Sequence, residues 1–255
     1  SAIPEGLPAV LVIGFAISSF AMSKSNVIVR RLPAVESLGS VTVICSDKTG
    51  TITEEKMGVT EYYSANSFYE KEGKDIFVGG KKIDLKKDKN FSMLVKTSIL
   101  CNDAKYSSLD EDYGIIGDPT EKALLSSSLD LGYDKKVLTQ KEPRFKKFDF
   151  DSERKMMSVI RRGPVFKTMY SKGASEVIIG ASSRELISGE IVELTEKRRA
   201  ELLKISEDMS KKALRVLAFA YKEIRKKDFD ESDLVFLGFS GMIDSPREEV
   251  KDAIR

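Results

Sequence analysis

The sequence predicts an α/β fold in two parts, preceded by a short apolar helix. Residues 41–45 (VTVIC) are rich in β-branched side chains, as buried strands are, and Asp47 follows them. A second apolar run at 234–242 is likewise followed by a carboxylate, Asp244. About 190 residues of mixed helical and strand pattern lie between the two runs. We therefore expect an α/β sheet, with a carboxylate past the ends of two strands, interrupted by an inserted α+β lobe.

The inserted stretch contains the patterns of both helices and strands. Helices are predicted over 92–103, 118–131, 174–179 and 195–214. The second of these has Asp118 as its N-cap and Pro119 in its first position. Strands are predicted within 145–171, with a turn at 163–164, and over 215–221 and 234–242. The lysine-rich stretch 71–90 predicts a solvated hairpin or loop rather than a binding patch.

Composition excludes several classes of function. The chain has 42 basic and 40 acidic residues, a net charge of +2, which does not favour nucleic acid as a partner. Histidine is absent from the sequence, which excludes histidine-based triads and most zinc sites. The two cysteines, Cys45 and Cys101, are predicted to be buried free thiols rather than a disulfide or a metal site.

The N-terminal stretch is much more apolar than the rest. Residues 7–22 carry no charge, and these 16 residues are slightly fewer than the roughly 20 that span a bilayer. Lys24, Arg30 and Arg31 follow, as is usual where a helix leaves the membrane on its cytoplasmic side. We expect the cytoplasmic half of a transmembrane helix that begins before Ser1. A buried core helix is the alternative.

Glu5 lies in PEGLP (4–8), a segment whose prolines and glycine should break a helix. A membrane tolerates such a break only where the freed carbonyl groups line a cavity. A carboxylate at that position is costly, so Glu5 is a candidate functional residue.

Residues 47–53 (DKTGTIT) combine a carboxylate with a lysine, a glycine and several hydroxyl groups. This turn is suited to a phosphate, and Asp47, with Lys48 beside it, can attack a phosphoryl group to become an aspartyl phosphate. A polar strand-to-loop turn is the alternative. The string resembles the phosphorylation motif of P-type ATPases, the ATP-driven membrane pumps.

Further motifs resemble those of the same family and occur in the family's order. PEGLP is similar to the unwound membrane motif, in which the glutamate, here Glu5, binds the transported cation. The others are GDPTEKAL, FDSERKMMSV, KGA, LRVLAFA and the hinge motif DSPR, where Ser245 replaces the usual first proline. Each is weak alone, but with the seven-residue motif the resemblance covers nearly the whole chain.

The resemblance implies a role for each motif residue. Asp47 would be the phosphorylated nucleophile, flanked by Lys48 and Thr49, and Mg²⁺ would bind the Asp47 carboxylate and the Thr49 carbonyl. Nucleotide would bind through Thr120, Glu121, Phe150, Lys155, Met157, Lys172, Gly173, Arg215, Asp244 and Arg247. The residue types suit ATP, since an aromatic ring can stack on adenine and cations can oppose the triphosphate. A core phenylalanine and solvated surface charges are the alternatives.

The resemblance also implies four segments. Residues 1–24 would be the membrane-helix segment and 25–54 the start of a haloacid dehalogenase-like (Rossmann-like) phosphorylation domain. Residues 55–241 would be the nucleotide-binding domain, an α+β lobe with an antiparallel sheet, and 242–255 the hinge and the return to the phosphorylation domain. The family's GDGxND-type motif, which supplies another Mg²⁺ ligand, and its TGE-type actuator motif are not in this sequence. We expect the chain to bind ATP weakly without completing turnover, its partner being the rest of the pump.

Two other functions compete with this one. Soluble phosphatases of the same superfamily carry D-x-D, but this chain has Thr49 in place of the second aspartate. Without that acid, water attack on the phosphoenzyme should be slow, which suits a pump better than a phosphatase. A non-catalytic ATP-binding fragment is the other alternative.

The transported ion is predicted to be Ca²⁺. IPEGLPAV is most similar to the calcium-pump branch, and the Glu5 carboxylate is a hard oxygen ligand. Sodium and manganese pumps share similar sequences. The full pump would be an integral membrane protein in the lipid bilayer, with the domains of this chain cytoplasmic.

Overall fold

The computed structural model describes residues 6–106, 114–225 and 229–254, apart from the side chain of Lys86. The chain divides into two compact units, one up to Lys48 and one from Thr49 onward. Glu5 lies outside the described residues.

The first unit contains two helices, α1 (Leu7–Lys24) and α2 (Ala34–Gly39). Pro8 stands in the first turn of α1, where a missing N–H costs no hydrogen bond, and Lys24 ends it. The helix is apolar all round, with a mean hydropathy of 1.6, and none of its residues is buried. By length and composition, α1 is able to cross a membrane.

The strand predicted over 41–45 is not formed, and that prediction is wrong for the described residues. The side chains of Val43 and Ile44 are 72% and 84% exposed. A strand needs a neighbour for its N–H and C=O groups, and no described strand pairs with this segment. Cys45, predicted to be buried, is exposed for the same reason, whereas Cys101 is buried, and both are free thiols.

The second unit is built on one large sheet. Its main strands are β1 (Thr53–Ser64), β2 (Ser67–Glu72), β3 (Asp75–Val78), β4 (Lys81–Lys82), β7 (Arg144–Asp151), β8 (Met156–Arg162), β9 (Lys167–Gly173), β12 (Arg215–Ile224) and β13 (Leu234–Pro246). Within the described residues, their path across the sheet runs β4-β3-β2-β1-β13-β12-β9-β8-β7. Neighbours along this path are antiparallel. The predicted antiparallel sheet of the lobe is therefore confirmed.

Four short strands lie off that path. β10 (Ser182–Ile187) pairs in parallel with β13 and carries β11 (Glu190–Glu193) on its other edge. β5 (Lys105–Tyr106) and β6 (Ile115–Ile116) form a separate ribbon. The helices of this unit are α3 (Lys89–Leu100), α4 (Pro119–Asp130), α5 (Lys135–Lys141), α6 (Ser175–Ala181), α7 (Glu196–Lys211) and α8 (Val250–Ala253). Four of them, α3, α4, α6 and α7, match the predicted helices within a few residues.

The two ends of the lobe are neighbouring strands. β1 and β13 are antiparallel, with Thr53 opposite Pro246 and Met57 opposite Asp244. Asp244 therefore lies inside a strand of the lobe sheet, not past the end of a strand in a second sheet. The prediction from the residue pattern was wrong on this point, because β13 does not end with the apolar run at Met242. It stays paired with β1 for four more residues, up to Pro246.

β13 carries the core on both faces of the sheet. Leu234 and Phe236 pack in one hydrophobic cluster, while Val235 and Leu237 pack in the other. This alternation follows from the period of two along a strand. Helices α3 and α4 contribute to the cluster with Val235, and α6 and α7 to the cluster with Phe236. A continuous apolar run is therefore required at this position in the sequence.

Candidate functional site

A cavity of about 570 Å³ opens beside the start of α4 and the strands β8, β9 and β12. Eight of the residues predicted to bind nucleotide line it. They are Thr120, Glu121, Phe150, Lys155, Met157, Lys172, Gly173 and Arg215. The fold thus brings residues from four separate motifs to the lining of one cavity, although Thr120 and Arg215 are 95 positions apart in the sequence.

The paired strands β8 and β9 form what we call the floor of the cavity, and their pairing sets the spacing of the residues there. Met157 stands opposite Lys172, and Met156 stands opposite Gly173. A Cβ at Gly173 would lie 2.5 Å from the carbonyl oxygen of Lys155 and 2.9 Å from the Cα of Met156. Glycine is required here because the two backbones approach too closely for any side chain.

A buried ion pair joins the floor to α4. Lys172 Nζ donates a hydrogen bond to Glu121 Oε1 at 2.5 Å, and the two side chains are 9% and 13% exposed. Glu121 Oε2 accepts a second hydrogen bond, from the backbone N–H of Asp103 at 3.1 Å. Both carboxylate oxygens are therefore held, and the ammonium keeps further N–H donors for a ligand.

The N-terminus of α4 faces the same cavity. Asp118 caps the helix by accepting a hydrogen bond from the Thr120 N–H at 2.9 Å, as the sequence predicts. Thr120 Oγ1 is buried and, within the described residues, has no hydrogen-bond partner. A hydroxyl left in this state is a ready donor or acceptor for a ligand, since burying it alone costs about 1–3 kcal/mol.

Three of the residues that line the cavity are exposed. Phe150 presents a ring that is 63% exposed at the end of β7, and Arg215 is exposed at the start of β12. Lys155 has a φ of +51°, a left-handed conformation that is uncommon for a lysine, and its Nζ lies 3.3 Å from Glu176 Oε1. An accessible aromatic face and two cations therefore frame the opening.

Several polar residues outside the recognised motifs also support this site, and sequence reasoning missed them. Asp103 lines the cavity, and its carboxylate binds Arg144 at 2.6 Å and Lys147 at 2.9 Å. Burial alone would raise the pKa of Asp103, but hydrogen bonds from Lys147 and Arg144 outweigh it and lower that pKa. No sequence motif relates these residues to the cavity, whereas their contacts in the folded chain do.

Asp244 and Arg247 do not line this cavity. Instead they hold the turn before β1. Thr53 Oγ1 donates to Asp244 Oδ2 at 2.5 Å, and Arg247 Nη2 donates to the Gly50 carbonyl at 3.1 Å. The Arg247 N–H also donates to the Ile52 carbonyl at 3.0 Å. Asp244 Oδ1 is buried without a hydrogen-bond partner among the described residues.

The DKTGTIT motif spans the boundary between the two units. Asp47 and Lys48 belong to the first unit, where the Ser46 hydroxyl donates to the Asp47 carbonyl at 3.1 Å. Thr49 begins the second unit and is followed by Gly50, whose φ of +77° is a turn conformation that favours glycine. The structure therefore gives the local geometry of the motif on each side of this boundary.

Comparison with known proteins gives one consistent result. Residues 90–249 match the family model described as "P-type ATPase, cytoplasmic domain N". The chain is 42% identical to calcium-transporting ATPase 1 of Bacillus cereus, 37% identical to cation-transporting ATPase pma1 of Synechocystis, and 37% identical to calcium-transporting ATPase 3, endoplasmic reticulum-type, of Arabidopsis thaliana. Each match covers 100% of this chain but only 28–30% of the relative.

Proposed function

Because the chain belongs to the P-type ATPase family, through its cytoplasmic domain N, we propose that it is the nucleotide-binding and partial phosphorylation portion of an ATP-driven cation pump. The convergence of eight motif residues on one cavity is the observation that carries this proposal. The soluble phosphatase is disfavoured by Thr49 and by the large inserted lobe.

ATP is proposed to bind with its adenine in the cavity. The exposed ring of Phe150 offers a stacking face, and Thr120 and the Glu121–Lys172 pair offer polar contacts in the same cavity. Lys155 and Arg215 stand at the opening, where a triphosphate would leave the cavity. The adenine would thus stack on the exposed ring of Phe150, and the triphosphate would extend toward the two cations.

The phosphorylation step is proposed to use Asp47. A carboxylate oxygen of Asp47 attacks the γ-phosphorus, the bond from that phosphorus to the bridging oxygen breaks, and ADP leaves. Mg²⁺ would be held by the Asp47 carboxylate and the Thr49 carbonyl, which are hard oxygen donors, and it would neutralise charge on the transferring phosphate. Residues of the rest of the pump would supply further ligands. The haloacid dehalogenase-like domain around Asp47 would be completed in the same way.

Ca²⁺ is proposed as the transported ion, bound through Glu5. This proposal is supported by the relatives named for calcium transport and by the hard oxygen ligand at Glu5. Helix α1 would lie in the membrane, with the second unit in the cytoplasm. In the full-length pump, ATP hydrolysis should increase with micromolar Ca²⁺. A response to sodium or manganese in place of Ca²⁺ would contradict the choice of ion.

Phe150→Ala is expected to weaken ATP binding about 5- to 150-fold, because stacking on a base is worth about 1–3 kcal/mol. The unfolding transition should barely move, since the ring is exposed. Equilibrium dialysis with labelled ATP measures the affinity. Phe145→Ala, on the same strand but away from the cavity lining, is the matched control and should bind ATP normally. Equal affinities of the two variants would argue against adenine stacking on Phe150.

Asp47→Asn in the full-length pump is expected to abolish the phosphoenzyme, because an amide cannot form the acyl phosphate. Incubation with γ-labelled ATP and Mg²⁺, followed by acid precipitation and hydroxylamine treatment, measures it. Asp75→Asn removes a carboxylate that pairs with Lys82 on the lobe surface and should leave labelling intact. Hydroxylamine-sensitive label persisting in Asp47→Asn would place the nucleophile elsewhere.

A further inference from the structure

Lys135, which no recognised motif contains, reaches from the start of α5 into the wall behind the cavity. Its Nζ donates to the carbonyl oxygens of Asn102 and Ala104, both at 2.6 Å, and lies 3.4 Å from Asn102 Oδ1. Its own N–H donates to the hydroxyl of Tyr106 at 3.4 Å. One side chain therefore binds three acceptors of a single turn, residues 102–104.

That turn orients the buried ion pair of the cavity. The Asp103 N–H donates to Glu121 Oε2, and Asn102 Nδ2 donates to the Glu121 carbonyl at 2.9 Å. Glu121 in turn holds Lys172 through its other oxygen. A continuous chain of hydrogen bonds thus runs from Lys135, through the turn, to two side chains that line the cavity.

The Lys135 ammonium is partly buried and lies near charges of both signs. Burial lowers its pKa from the ordinary 10.5 to about 8, and the Coulombic effect of Glu121 acts in the opposite direction. Three other charges act on it: Asp103 in the turn favours the ammonium, while Arg161 on β8 and Arg144 on β7 disfavour it. Lys135 therefore loses its proton within a pH range in which ATP binding is readily measured.

We propose that Lys135 is a positioning residue for nucleotide binding, which fixes Glu121 and Lys172 by clamping the 102–104 turn in its protonated form. The inference rests on the proposed ATP-binding function of the cavity. An ammonium has three N–H donors for its three acceptors, whereas a neutral amine has two and directs a lone pair at a carbonyl. Loss of the proton therefore loosens the turn and lowers the affinity for ATP.

The contribution of Lys135 to stability and the affinity for ATP should respond to pH in opposite directions. The pKa of Lys135 is lower in the folded chain than in the unfolded one, so the unfolded state binds more protons between about pH 8 and 10.5. The contribution of this group to the free energy of unfolding thus increases as the pH rises through that window. ATP affinity is expected to fall from pH 7 to pH 9, so the loss of affinity would not arise from a loss of the Lys135 contribution to stability.

The test compares the wild-type chain with Lys135→Arg and Lys135→Met by equilibrium dialysis with labelled ATP between pH 7 and 9. Wild-type affinity should fall about tenfold over this range, and Lys135→Met should be about tenfold weaker already at pH 7. Lys135→Arg keeps its charge throughout and should retain affinity with a flatter profile. Lys141→Met, at the exposed end of the same helix, should follow the wild type and reports any titration of ATP itself.

The outcomes separate the inference from the function on which it rests. Parallel pH profiles of the wild type and Lys135→Arg would overturn the role of Lys135, even if Lys135→Met failed to fold. A wild type that binds ATP no better than Lys135→Met at pH 7, when that variant is folded, would overturn this inference alone. A wild type that binds no ATP at any pH would overturn the proposed function as well.

Discussion

Lys172→Met is expected to lower the free energy of unfolding by about 3–5 kcal/mol, because it leaves the Glu121 carboxylate buried without its cation. ATP affinity should fall about 10- to 100-fold, since a charged hydrogen-bond donor is lost from the cavity. Urea unfolding and equilibrium dialysis measure the two effects separately.

Two further variants separate stability from binding. Lys172→Met combined with Glu121→Gln removes the unpaired charge, so it should recover part of the lost stability while ATP affinity stays low. Lys211→Met removes a lysine from an exposed ion pair on α7 and should change neither quantity. If Lys172→Met had the stability of Lys211→Met, the pair would not be buried in solution.

Gly173→Ala is expected to cost about 3 kcal/mol of stability, because the new methyl group would meet the backbone of β8 rather than a side chain that can turn away. Separation of β8 from β9 would also displace Lys155 and Lys172, so ATP affinity should fall together with the stability. Thermal or urea unfolding and dialysis measure both changes.

Gly180→Ala is the matched control for that substitution. Gly180 lies on α6 and is exposed, and nothing lies within 4 Å of the position that a methyl group would take there. Alanine is favoured over glycine in a helix, so this variant should be equal to the wild type or more stable by about 0.5–1 kcal/mol. A similar loss of stability in both alanine variants would contradict the close β8–β9 approach at Gly173.

The helices of the lobe were predictable because their signals are local. Asp118 and Pro119 mark the start of α4 in the sequence itself, and the cap is formed as expected. The strand predicted at 41–45 is not formed, because a β-branched run forms a strand only where another strand pairs with it, and no described strand pairs with this segment. Local pattern also gave no sign that Asp244 pairs within β13, since register depends on β1, almost 200 positions earlier.

Sequence and structure contribute differently to the candidate site. The motifs supplied eight cavity residues, because each motif keeps its spacing within one element. They did not supply Lys135 or Asp103, whose relation to Glu121 depends on how α5 and the 102–104 turn pack against α4. Whether the eight residues bind nucleotide stays a prediction that the dialysis experiments test.

The pairing of β1 with β13 has a consequence for how this lobe can be inherited. A module whose entry and exit are hydrogen-bonded neighbours occupies little more room in a host chain than an ordinary hairpin turn. Its own loops can then lengthen or shorten without displacing the points of attachment. Such a lobe is suited to being grafted into another protein, or removed from one, with little disturbance to the host.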